Sequence, residues 1–183
     1  LNIDPQEFES LEDLPVFNKG CDSSYSWSKK YKHLQRKGTP DEIVQRITEM
    51  MKTPSNPSGR FKHPNGSWQH MCFTGGEPLM KHAQKAVPDI LRAFKDDEYN
   101  MPESVTFETN GTQELTPDFI NFFTNRGLFD QELFFSVSHK LATVSGEKRD
   151  KAIKPDTLKT YRILSKHGQL KLVLGSEERT WDV

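Results

Sequence analysis

Four short apolar runs, each closing on small or polar residues and separated by helical stretches, limit the folds open to this chain. The first spans Gln69 to Thr74 and ends at Gly75-Gly76. The second spans Ser104 to Glu108 and ends at Thr109-Asn110-Gly111. The third, Leu133 to Val137, leads into Ser138-His139-Lys140, and the fourth, Leu170 to Leu174, into Gly175-Ser176-Glu177. Strand alternating with helix through short loops predicts parallel strands in an α/β protein.

The intervening helices have readable starts. Thr39-Pro40-Asp41-Glu42 offers a capping hydroxyl, proline at the first helical position and acids in the first turn. Ile43, Val44, Ile47, Met50 and Met51 follow at helical spacing. Pro54 to Gly66 reads as a polar loop. A second helix carries Leu79, Ala83, Val87, Ile90, Leu91 and Phe94, with Pro88 expected to interrupt or kink it. Thr116-Pro117-Asp118 starts a third, with Gly127 placed as its C-cap glycine. A fourth, around Thr157 to Lys166, is expected to close at Gly168. The reading gives one domain overall: a 1–38 N-terminal segment and a 39–183 α/β core.

Composition removes several function classes. The 183 residues carry a formal net charge of -1 and have no long basic run, so neither duplex nucleic acid nor a membrane surface is indicated as a partner. No apolar stretch is long enough to span a bilayer. Only two cysteines occur, Cys21 and Cys72, which points to a reducing, cytoplasmic setting. Leu1 and Val183 both read as cuts through a longer chain.

The C-terminal ends of parallel strands are where α/β proteins build their sites. Clusters at four such ends therefore predict one ligand site fed by several strands, although Gly, Asn and Ser also favour turns for conformational reasons alone. Thr74-Gly75-Gly76-Glu77-Pro78 can bring backbone groups close to a polar ligand, or form a tight turn capped by Glu77. Cys21-Asp22-Ser23 places a soft thiolate donor for iron beside hard oxygen donors suited to Mg²⁺. Cys72, inside the first apolar run, is expected to be a buried core thiol.

Together these motifs resemble the radical S-adenosylmethionine superfamily, and within it the 7-carboxy-7-deazaguanine synthase family. The residues that carry the resemblance are Cys21 to Trp27, Thr74 to Pro78, Glu108 to Thr112, Val137 to Lys140 and Leu170 to Val173, with Thr39 to Ile43 as a further likeness. The resemblance implies a partial (β/α) barrel of parallel strands, lacking the N-terminal cysteine-loop segment. It implies a [4Fe–4S] cluster, S-adenosyl-L-methionine and Mg²⁺ as cofactors, an external electron donor and a pterin substrate. The implied reaction is radical ring contraction of 6-carboxy-5,6,7,8-tetrahydropterin to 7-carboxy-7-deazaguanine and ammonia, a carbon–nitrogen lyase activity in queuosine biosynthesis. It also leaves a homodimer open.

By position, Cys21 resembles the third cluster cysteine and Ser23 the Mg²⁺ ligand. Asp22, Gly75, Gly76, Glu77, Glu108, Asn110, Ser138, His139 and Lys140 correspond to cofactor-contacting positions, and Thr74 to a substrate contact. Three departures accompany this likeness. His139 stands where relatives usually carry proline, a long stretch precedes Cys21, and there is no cysteine upstream of Cys21 where the family's C-x₃-C-x₂-C motif has two. Two other readings remain open on the sequence: a different radical enzyme such as a glycyl-radical activase, and a degenerate domain that kept the fold as a binding module.

Overall fold

The helix start at Thr39 forms as its residues dictate. In the computed structural model, which describes residues 4–10, 13–14, 24–140 and 148–172, the Thr39 hydroxyl accepts from the Glu42 amide. The Glu42 carboxylate in turn accepts from the Thr39 amide, closing a reciprocal cap.

The chain divides into two compact units, Leu1–Gly38 and Thr39–Val183. In the first, the described elements are short: a 3-10 turn at Pro5–Glu7, helix α1 at Ser24–Trp27 and a 3-10 turn at Lys29–Tyr31 capped by Ser28. The Gln35 side-chain amide donates to the Tyr25 and Ser26 carbonyls at 3.2 and 3.1 Å, tying down the orphan carbonyls of α1.

The second unit is built on a four-stranded sheet. Its elements run α2 (Pro40–Met51), β1 (Met71–Phe73), α3 (Lys81–Asp96), β2 (Ser104–Thr109), α4 (Pro117–Thr124), β3 (Glu132–His139), α5 (Arg149–Ala152), α6 (Pro155–Leu164) and β4 (His167–Leu172). All three strand pairs are parallel, and the spatial order β1-β2-β3-β4 follows the chain without reversal. Parallel neighbours need a crossover, and α3, α4 and the α5–α6 pair supply the three required.

One face of the sheet carries the core. Met71, Val105, Phe107, Leu133, Phe135 and Val137 alternate onto it and are buried. Phe107 is its centre, with ring centroids 5.2 to 5.8 Å from Phe73, Phe119, Phe123 and Phe135. Phe135 stacks on Tyr161 of α6 at 4.5 Å. Helix α3 contributes Val87, Leu91 and Phe94, spaced along one stripe.

Several local expectations are corrected. Strand β1 is shorter than Gln69–Thr74, and β4 begins at His167, three residues before the expected start. Pro88 does not break α3, which runs continuously with Pro88 buried in its stripe. Gly127 is not the C-cap of α4: Asn125 occupies that position, and its side chain accepts from the Gly127 amide. Gly168 does not close α6 but lies inside β4 opposite Phe135, where a Cβ would stand 3.0 Å from the Phe135 carbonyl oxygen. No described helix is long and apolar enough to cross a membrane.

Candidate ligand site at the ends of the parallel strands

Strand side chains alternate, so the remaining positions turn to the opposite face, and apart from Phe134 and the Cys72 thiol they are polar. Cys72 on β1, Thr106 and Glu108 on β2, Ser136 and Ser138 on β3, and Gln169 and Lys171 on β4 share it by register. Glu108 pairs with Ser136 across the β2–β3 ladder, and Lys171 with Ser138 across β3–β4. Two strand spacings, roughly 10 Å, therefore separate Glu108 from Lys171. The two serines on the intervening strand are small enough for the long lysine to cross above them. Its Nζ reaches Glu108 Oε1 at 2.9 Å. The Thr74 hydroxyl donates to the other carboxylate oxygen at 3.3 Å.

These partners set the charge states. The Lys171 hydrogen bond holds the Glu108 carboxyl below its ordinary value, with its charge and the Thr74 hydroxyl acting in the same direction. Partial desolvation pushes the Cys72 thiol up, the Glu108 charge adds to that, and Lys171 opposes it. Cys72 is nevertheless exposed, which corrects its expected place in the core. Its parity explains this: Met71 and Phe73 turn to the helices, so Cys72 turns to the polar face.

The loops above this face are joined by Glu77. One carboxylate oxygen accepts from the Thr109 hydroxyl at 2.7 Å and the Leu79 amide at 3.0 Å. The other accepts from the Asn110 amide at 2.8 Å. Both oxygens are thus committed to holding the β1 loop against the β2 loop. Gly75 and Gly76 take φ of +80° and +53°, consecutive left-handed conformations that favour glycine. Asn110 organises its own turn, accepting from the Thr112 amide and hydroxyl at 2.9 and 2.6 Å. Buried Gln84 on α3 fixes the next stretch. It donates to the Leu79 and Glu114 carbonyls and accepts from the Thr116 amide, all within 2.8 Å.

The predicted residues therefore separate into groups. Thr74, Glu108 and Ser138 share the polar face; Gly75, Gly76, Glu77 and Asn110 form two linked loops beside it. Lys140 is exposed just beyond β3. His139 is buried on the helix-covered side, with Nδ1 3.0 Å from the Ala152 carbonyl. Since a carbonyl only accepts, Nδ1 carries the proton. Cys21, Asp22 and Ser23 lie outside the described residues. Lys171, inside the Leu170 to Val173 motif, and Cys72 are not among the predicted site residues, although period-2 alternation from Thr74 and Glu108 is the sequence signal that points to them. The chain matches no family model, no curated protein and no solved structure.

Proposed function

We propose that the chain is the α/β core of a radical S-adenosylmethionine enzyme of the 7-carboxy-7-deazaguanine synthase type, its four strands forming part of a (β/α) barrel. The observation that carries this reading is the linkage of the Gly75-Gly76-Glu77 loop to the Thr109-Asn110-Gly111 loop, with Thr74 on Glu108 beside it. Motifs 34 residues apart thereby form one surface. The unreversed strand order and the apolar face against helices fit a barrel wall, whose inner face carries the site.

The donor set of this surface suits S-adenosylmethionine. Left-handed glycines let a ligand approach the backbone, and the Glu108 carboxylate accepts hydroxyl or ammonium donors. Glu77 acts through position, keeping the two loops in register. The described residues do not fit an iron–sulfur cluster: they hold one free cysteine, Cys72, and no group of three His, Cys, Asp or Glu side chains able to hold a metal. Cluster and Mg²⁺ ligation would rest on residues 21–23, and no step of the reaction is assigned through them.

A second reading is a binding module that kept the ligand loops without the cluster. Calorimetric titration with S-adenosylmethionine, paired with iron and sulfide analysis after anaerobic reconstitution, separates the two. On either reading the chain binds S-adenosylmethionine, and Glu108→Ala weakens binding by about tenfold, equivalent to one charge-assisted hydrogen bond. The enzyme reading further expects 7-carboxy-7-deazaguanine from 6-carboxy-5,6,7,8-tetrahydropterin under reducing conditions. Absence of S-adenosylmethionine binding by the wild-type chain would sink both.

A further inference from the structure

Within the four strands, Lys171 is the one lysine or arginine on the polar face. It lies over the serine floor of β3 and is held by Glu108. Both partners are close to half exposed, at 41% and 44% of their side-chain surface. An exposed pair of this kind contributes little to stability and exchanges partners readily.

We infer that Lys171 is the residue by which this face reads a carboxylate on its ligand. The Glu108 carboxylate occupies the position that a ligand carboxylate would take. On exchange, Lys171 Nζ passes from Glu108 to the ligand anion, while Glu108 and Thr74 turn to a hydrogen-bond donor on the same molecule. With Lys171 across it the β3 floor is covered, Ser136 being 1% exposed and accepting from the Gln169 side-chain amide at 2.9 Å, so the ligand takes the space that Lys171 gives up on leaving Glu108. Of the other strand residues that register places on this face, Thr106 and Gln169 are uncharged, Glu108 and Glu132 carry carboxylates, and His167 lies at the start of β4 opposite Phe134, away from the strand ends. Among the described strand residues, the discrimination between a carboxylated ligand and its neutral counterpart therefore falls to Lys171. The specific ligand named below rests on the functional reading just given; the Lys171–Glu108 geometry does not.

The test compares 7-carboxy-7-deazaguanine with 7-deazaguanine, which lacks the carboxylate, by calorimetry on the full chain. Wild type is expected to prefer the carboxylated compound by about tenfold or more, Lys171→Met to bind the two within about twofold, and Lys171→Arg to keep most of the preference. Circular dichroism checks that the variants are folded. A second readout needs no variant: alkylation of Cys72, the exposed thiol on the same face, by iodoacetamide, located by peptide mass spectrometry, slows when the carboxylated compound is bound, and an unchanged rate with the compound bound places it elsewhere and overturns the role of Lys171. Equal affinities for the two compounds in wild type, or a preference that survives in Lys171→Met, overturn the role of Lys171 and leave the functional reading standing. Failure of both compounds to bind overturns the role of Lys171 together with the enzyme reading, while S-adenosylmethionine titration decides the binding-module reading separately.

Discussion

Glu108 shows how one carboxylate can report on the whole site. Its ionisation is favoured by Lys171 first and Thr74 last, so its folded pKa lies below the ordinary 4.5. A carboxyl depressed on folding contributes stability above its unfolded pKa and loses that contribution as pH falls through the folded value. The window is therefore acidic, below about pH 4.5, and neutral pH leaves the pair intact. Half-exposure screens the pair, so the effect on global stability is small, under about 1 kcal/mol. The informative measurement is the titration itself. Carboxyl NMR should place the Glu108 midpoint below 4.5 in wild type and move it upward in Lys171→Met. An unmoved midpoint would show that the pair does not persist in solution.

At the scale of elements, the β2 loop illustrates how a turn and a strand depend on each other. Gly111 has φ +78°, and a Cβ there would stand 2.5 Å from Val137 Cγ1 and 3.2 Å from His139 Cε1. Both neighbours belong to β3, which is pinned by its ladders to β2 and β4 and cannot retreat far. Gly111→Ala combines left-handed strain with overpacking, so a loss of about 2–4 kcal/mol is expected in urea unfolding. The neighbouring contacts carry that strain outward. The Gly111 amide donates to the Thr109 hydroxyl, which donates to Glu77, so disturbance of the turn loosens the β1 loop as well. Gln84 supports the same region from α3 through three hydrogen bonds.

Across the whole unit, stability is concentrated on one side of the sheet. Phe107 touches aromatic rings from β1, β3 and α4, so its removal disconnects three elements at once. Phe107→Ala is expected to cost about 3–5 kcal/mol. That is a large share of the 5–15 kcal/mol typical of a domain. Thermal unfolding should show a sharply lowered midpoint. A change under about 1 kcal/mol would mean the aromatic core is not packed as described. Cys72, Glu108 and Lys171 lie outside this aromatic cluster and are exposed or half-exposed, so substitutions there are expected to leave the fold in place.

Sequence alone determined the order of elements, the parallel α/β class and the helix starts at Thr39 and Thr116, because capping and hydrophobic period are local properties. It also marked Thr74, Glu108 and Ser138 as residues at strand ends. Tertiary structure decided which way each side chain turns. The sequence groups His139 with Ser138 as neighbours in the chain, but adjacent strand residues face opposite sides, and His139 turns to the helices. A short apolar run suggests a strand buried on both faces and so puts Cys72 in the core, whereas the helical core lies on one face and Cys72 occupies the other. The start of β4 and the place of Gly168 come from its pairing with β3 at Phe135, which no local pattern encodes. The Lys171–Glu108 pair joins positions 63 residues apart, and only the register of three strands over two serines brings them within 2.9 Å.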